Sequence, residues 1–157
     1  LAGWRSVFPV DVFIQQFEKI ASGFDAAISS LRTSTAALRL TRRERTALAQ
    51  ELSVAEAAAI HFQSVANQAR FVRDRDLLAK ATASADAGPL IDALERTLRR
   101  ELELAKRLFR VQSRDSRIGF EASNQYYYVP LDLAEKVLNC RDLIERWLSE
   151  RRAHWKG

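Results

Sequence analysis

The stretch "TRRERTALAQELSVAEAAAIHFQSVANQARFVRDRDLLAK" (residues 41–80) decides the fold of this chain. It opens with Thr41 and, three residues later, Glu44, which together form the S/T-x-x-E capping box that begins an α-helix. Apolar residues then recur at intervals of three and four, the period of one helix face. Many of them are alanines, so a neighbouring helix can approach closely. The stretch therefore predicts one long helix, from Thr41 to about Lys80, in a tightly packed helical bundle.

The same period appears in three other parts of the chain. A first helix is expected after Pro9, a third after the helix-stop signal Gly88-Pro89, and a fourth from Pro130 to Leu148. The expected core stripe of the first is Phe13, Phe17, Ile20, Phe24, Ala27, Leu31 and Leu38, and that of the third is Leu90, Leu94, Leu98, Leu102, Ala105, Leu108 and Val111. Short connections between long helices favour antiparallel neighbours. We therefore predict an all-α fold: an elongated antiparallel bundle of three to four long helices, with one irregular Tyr-rich loop before the last helix, forming a single helical domain over residues 1–157.

Composition agrees with this fold. The 157 residues are 47% hydrophobic and 29% charged, with only five glycines and three prolines, which is typical of a folded helical protein. No apolar run is long enough to predict a membrane span. The chain contains no methionine and begins at Leu1, so we expect it to be a fragment of a longer protein.

Several kinds of chemistry are not indicated. Cys140 is the only cysteine, which excludes an internal disulfide, and we expect its thiol to be buried and inert. His61 and His154 both lack the Glu-x-x-His spacing of a di-iron bundle. The sequence holds no Gly-rich phosphate loop, no G-x-S-x-G motif and no C-x-x-C motif. We therefore expect no metal, no cofactor and no catalytic residues within this chain.

The net charge of +5 raises the question of a polyanionic partner. The excess is spread thinly, and its densest spots are "RLTRRER" (39–45) and "SERRAHWK" (149–156). Both coincide with expected helix ends, where charged side chains are commonly solvated. We therefore do not expect nucleic acid as a partner, and binding of a polyanion through these arginine-rich ends is kept as a third alternative.

The most diverse stretch of the chain is "SRDSRIGFEASNQYYYVP" (113–130), which we call the connector. It could be a structural plug that covers the end of the bundle, or a surface that meets a ligand or another domain. In an extended segment consecutive side chains alternate between two sides, so three tyrosines in a row cannot all face inward. Tyrosine is also enriched at binding surfaces. The candidate contact residues are Asp115, Arg117, Glu121, Asn124, Tyr126, Tyr127 and Tyr128.

Within and after the connector, "DSRIGFEASN" (115–124), "YYY" and "PLDLAEKVLNC" (130–140) resemble the helical C-terminal region of large secreted bacterial glycoside-hydrolase-like proteins. The segment "FPVDVFIQQFEKIASGFDAAISSL" (8–31) fits the same pattern more loosely. Gln125 stands where that pattern has a histidine. The resemblance implies a barrel ahead of the helices that carries the catalytic carboxylates, and an extracytoplasmic location.

Two functional hypotheses follow. The first is a non-catalytic accessory domain of a larger carbohydrate-processing protein, with the connector packed on, or contributing to, a neighbouring domain's ligand cleft. The second is a free-standing interaction module that binds a protein partner through the Tyr-rich loop. The expected partners are accordingly an adjacent domain of the same polypeptide, another protein or a carbohydrate.

Overall fold

The computed structural model describes residues 2–119 and 129–155. Its α-helices are α1 (Ala2–Arg5), α2 (Val10–Thr35), α3 (Arg42–Leu78), α4 (Ser84–Gln112), α5 (Pro130–Asp142) and α6 (Leu148–His154), with a π-helical turn, Leu143–Trp147, joining the last two. The described residues contain no strand. The predicted all-α bundle is therefore confirmed.

The long helices pack in the order in which they occur along the chain. α2 lies against α3, α3 against α4, and α4 against α5. Ion pairs show that α2 and α3 run antiparallel. Asp11 near the start of α2 pairs with Arg73 near the end of α3, whereas Arg32 near the end of α2 lies 3.8 Å from Glu56 in the first half of α3.

The core is concentrated between α3, α4 and the α5–α6 segment. Its largest cluster consists of Leu78, Ala87, Ile91, Leu94, Leu98, Cys140 and Leu148, and a second consists of Ile60, Leu104, Leu108 and Leu133. Helix α2 adds a smaller cluster of buried residues, in which Ile14 packs on Ala66 and Ala69 of α3. These alanines allow the close approach that the sequence predicted. The expectation that Cys140 is buried is confirmed.

The core stripe of α2 differs from the predicted one. Ile14, Ala21 and Ile28, spaced seven residues apart, are the buried residues of this helix. Phe13 and Phe17 of the predicted stripe do pack against the Ile14 cluster, and Phe24 stacks on Phe62 of α3. Ile20 is 41% exposed and Leu31 is 38% exposed, so the predicted stripe is only partly correct. The reason is that α2 packs mainly on one helix, α3, which buries the narrow heptad seam of a coiled coil rather than a broad stripe.

The predicted break between the second and third long helices is present at residues 79–83, but its expected position at Gly88-Pro89 is wrong, because α4 begins at Ser84 and runs through both residues. Pro89 lies in the second turn, where its missing N–H removes a single backbone hydrogen bond. Ala87 and Ile91, on either side of it, are almost completely buried in the main cluster. Burial of this turn offsets the lost hydrogen bond, so the helix continues.

Two predicted helix starts are correct. At the start of α3 the backbone N–H of Thr41 donates to Glu44 Oε2 (2.7 Å), and the N–H of Glu44 donates to Thr41 Oγ1 (3.3 Å). The backbone N–H of Thr41 and its hydroxyl, which also lies 2.7 Å from Glu44 Oε2, both donate to the carboxylate and hold the pKa of Glu44 below its usual value. Pro130 occupies the first turn of α5, as expected for a residue whose φ is already helical.

Candidate functional site

The candidate site lies where α2 ends, α3 begins and α4 ends, which we call the connector end of the bundle. Asp115 and Arg117 belong to the turn that follows α4. The other predicted contact residues lie outside the described part of the chain; they are Glu121, Asn124, Tyr126, Tyr127 and Tyr128. The structure therefore locates two of the seven predicted site residues.

Asp115 and Arg117 form a two-pronged ion pair. Nε of Arg117 lies 2.8 Å from Oδ1 of Asp115, Nη2 lies 2.6 Å from Oδ2, and the backbone N–H of Arg117 also donates to Oδ1 (3.1 Å). These hydrogen bonds favour the ionised carboxylate and lower the pKa of Asp115 to about 2. The carboxylate thus orients the guanidinium in the folded chain.

The backbone supports this pair through a compact turn. The N–H of Asp115 donates to the carbonyl of Gln112 (3.2 Å), and the N–H of Ile118 donates to the carbonyl of Asp115 (3.1 Å). Gly119 then adopts a φ of 89°, in the left-handed region that side chains disfavour. The sequence "DSRIG" is therefore suited to ending α4 and reversing the chain.

Next to this turn lies an open groove of about 670 Å³ that gathers arginines from three segments of the chain. Arg32 comes from the end of α2, Arg42 and Arg45 from the first turn of α3, and Arg114 and Arg117 from the turn after α4. Five guanidinium groups face two carboxylates, so the lining has a net charge of +3. The described lining of this groove is therefore strongly cationic.

The cations of this groove differ in their partners. Arg117 is held by Asp115, and Arg32 lies near Glu56, which also accepts a hydrogen bond from Arg107 (3.3 Å). Within the described residues, Arg42 and Arg114 have no carboxylate within ion-pair distance. A guanidinium group without a carboxylate partner can form two parallel hydrogen bonds to an anionic group of a ligand.

A second polar cluster, which the sequence analysis missed, lies inside the bundle. Glu101 of α4, only 6% exposed, accepts hydrogen bonds from the hydroxyl of Ser64 and from Nδ2 of Asn67 (2.9 Å), both on α3. Nζ of Lys136 on α5 lies 2.5 Å from Oε1 of Glu101 and donates to Ser64 Oγ at 3.1 Å. One carboxylate therefore links three helices. A possible signal was present, since Glu101 continues the apolar spacing of Leu94 and Leu98.

The cluster shifts the pKa values of two neighbouring side chains, His61 and Cys140. Burial and the nearby Lys136 ammonium lower the pKa of His61. Burial and the carboxylate of Glu101 raise the pKa of Cys140 to about 11. Ser64 is 4% exposed, so an external substrate could not reach its hydroxyl while the helices stay packed. We interpret the cluster as a structural contact that fixes how α3, α4 and α5 align.

No family model, curated protein or solved structure matches this chain. Over residues 2–119 and 129–155, no group of three or more His, Cys, Asp and Glu side chains is arranged to hold a metal ion. None of the helices described combines the length and apolar character needed to cross a membrane.

Proposed function

We propose that this chain is a helical accessory domain of a larger bacterial carbohydrate-processing protein, with its connector end packed on, or contributing to, a neighbouring domain's ligand cleft. The main support is the position of Asp115 and Arg117. Both belong to the segment that carries the resemblance, and both line the arginine-rich groove. In this proposal the reaction itself takes place in the neighbouring domain.

Exposed leucines beyond the connector give further support. Leu131 and Leu138 of α5 are 68% and 63% exposed and lie one heptad apart on the same face of the helix. Large apolar side chains repeated along one exposed face suit burial against another protein surface. Docking of a neighbouring domain on this face of α5 would bury both leucines.

The same leucines also favour the second hypothesis, a free-standing module that binds a protein partner. The two hypotheses differ in what precedes Leu1 in the gene. The test is to determine the reading frame upstream of the Leu1 codon. The accessory-domain proposal expects a continuous frame that encodes a barrel domain, and a start codon immediately before Leu1 would contradict it.

A docking experiment then tests the surface. The upstream domain and this chain are produced separately and mixed, and complex formation is measured by calorimetry. Leu138→Gln should weaken the complex, whereas Leu77→Gln, which changes an exposed leucine near the far end of α3, should not. Equal affinities for both variants would contradict docking through α5.

A further inference from the structure

We infer that the arginine-lined groove at the connector end binds an anionic polysaccharide, with carboxylate or sulfate groups held by Arg42, Arg114 and their neighbours. This inference deepens the proposed function by naming a ligand class, and it rests on that proposal in placing this end of the bundle beside a ligand cleft. The groove residues on which the inference rests all belong to the described part of the chain.

The first argument is electrostatic. Cations from three segments converge on one concave surface, where their fields add, and they attract an anion more strongly than isolated surface arginines do. Arg42 and Arg114 are exposed and, among the described residues, have no carboxylate partner. A ligand carboxylate or sulfate can therefore pair with them without breaking an existing ion pair.

The second argument concerns the groups between the arginines. Thr46, Gln50 and Ser53 line the groove from one face of α3, since they are spaced by four and three residues. Hydroxyl and amide groups both donate and accept hydrogen bonds, as sugar hydroxyls do. Glu56 and Asp115 add acceptors for ligand hydroxyl groups. A chain of sugars that alternates hydroxyl and acidic groups fits this mixture.

The described lining suits a protein partner less well than a sugar chain. Ala49 and Leu52 are the only apolar side chains in the described lining, whereas protein interfaces have an apolar or aromatic centre. The arginines without a carboxylate partner would bind phosphate as well as carboxylate or sulfate, so the binding test below separates a nucleic acid from a polysaccharide.

The test measures binding of the full 157-residue chain to polygalacturonate and to heparin by calorimetry, at low and at moderate salt. The two probes distinguish carboxylate from sulfate as the preferred anion. Dextran serves as the neutral polysaccharide, poly-glutamate as the acidic peptide and oligo-dT as the nucleic acid. We expect binding to at least one acidic polysaccharide, weakening with salt, and no binding to dextran.

Two double variants with the same change in charge locate the site. Arg42→Gln with Arg114→Gln removes two groove cations, whereas Arg96→Gln with Arg100→Gln removes two exposed cations of α4 outside the groove. We expect the groove variant to bind about tenfold more weakly or worse, and the control variant to bind nearly as the parent chain does. Circular dichroism melting checks that both variants fold.

Three results would overturn the inference. Equal loss in both double variants would mean that binding follows net charge and not the groove. Equal binding of dextran would exclude anion recognition. Tighter groove-dependent binding of poly-glutamate or oligo-dT would show that the ligand class is wrong. None of these results bears on the reading frame upstream of Leu1, so failure here is distinguishable from failure of the proposed function.

Discussion

Nζ of Lys136 lies 2.5 Å from Oε1 of Glu101, and this contact ties α5 to α4 inside the bundle. Glu101 is almost fully buried, whereas about a quarter of the Lys136 side chain is exposed. Removing one member of such a pair leaves the other charge without its compensation in a poorly solvated place. Substituting either residue alone should therefore destabilise the fold.

We expect Lys136→Met to lower the free energy of unfolding by roughly 2–3 kcal/mol, measured by urea denaturation. The matched control is Arg141→Met, which removes a cation of the exposed Arg141–Glu145 pair and should cost less than about 1 kcal/mol. Adding Glu101→Gln to Lys136→Met should recover much of the loss, because it removes the uncompensated charge while the amide oxygen can still accept a hydrogen bond from Ser64 or Asn67. Equal costs for the two single variants would contradict a buried, coupled pair.

The Asp115–Arg117 pair predicts a pH dependence. The pKa of Asp115 is lowered from 3.8 to about 2 in the folded chain, so its contribution to stability is present above pH 4 and is lost as the pH falls toward 2. A carbon-13 NMR titration should give a midpoint near 2 for the Asp115 carboxyl. Arg117→Ala should raise this midpoint toward 3.8, and Arg114→Ala should not. A midpoint near 3.8 in the parent chain would contradict the ion pair.

Cys140 should react very slowly with thiol reagents. Its pKa is raised from 9.0 to about 11, which reduces the thiolate fraction at pH 8 by about a hundredfold, and burial limits access further. Alkylation by iodoacetamide, followed by mass spectrometry, should be slow in the native chain and fast in guanidinium chloride. Ser149→Cys adds an exposed thiol on α6 as an internal reference. Comparable native rates at both positions would show that Cys140 is accessible.

Pro89 should cost stability where it stands. It lies inside α4 and cannot donate the backbone hydrogen bond of that position. Pro89→Ala should therefore raise the free energy of unfolding by about 1–2 kcal/mol, partly reduced by the greater freedom of the unfolded chain. The control is Pro9→Ala, since Pro9 precedes the first residue of α2. A loss of stability in Pro89→Ala would mean that the proline shapes this turn favourably.

The fold was predictable from local signals, whereas the site was predictable only in part. The capping box at Thr41 and the proline at the start of α5 act through neighbouring residues, so the sequence alone locates those helix starts. The continuation of α4 through Pro89 depends on tertiary burial of Ile91, which no local signal reveals. The sequence pattern therefore predicted a helix end at Pro89 that the packing of the helix overrides.

The groove escaped prediction for a related reason. Arg32, Arg42 and Arg114 belong to separate segments of the chain, and none of these segments has more than a small excess of positive charge. Only antiparallel packing brings these segments to one end of the bundle. Glu101 was missed because a glutamate at core spacing is buried only if partners such as Lys136 reach it from another helix.

The most direct test of the groove as the binding surface is an NMR titration of the arginine Nε–Hε signals with short oligogalacturonates. The account predicts the largest shifts for Arg42, Arg45, Arg114 and Arg117, with Arg96 and Arg100 unchanged. Shifts that are absent, or as large at Arg96 and Arg100 as in the groove, would contradict it.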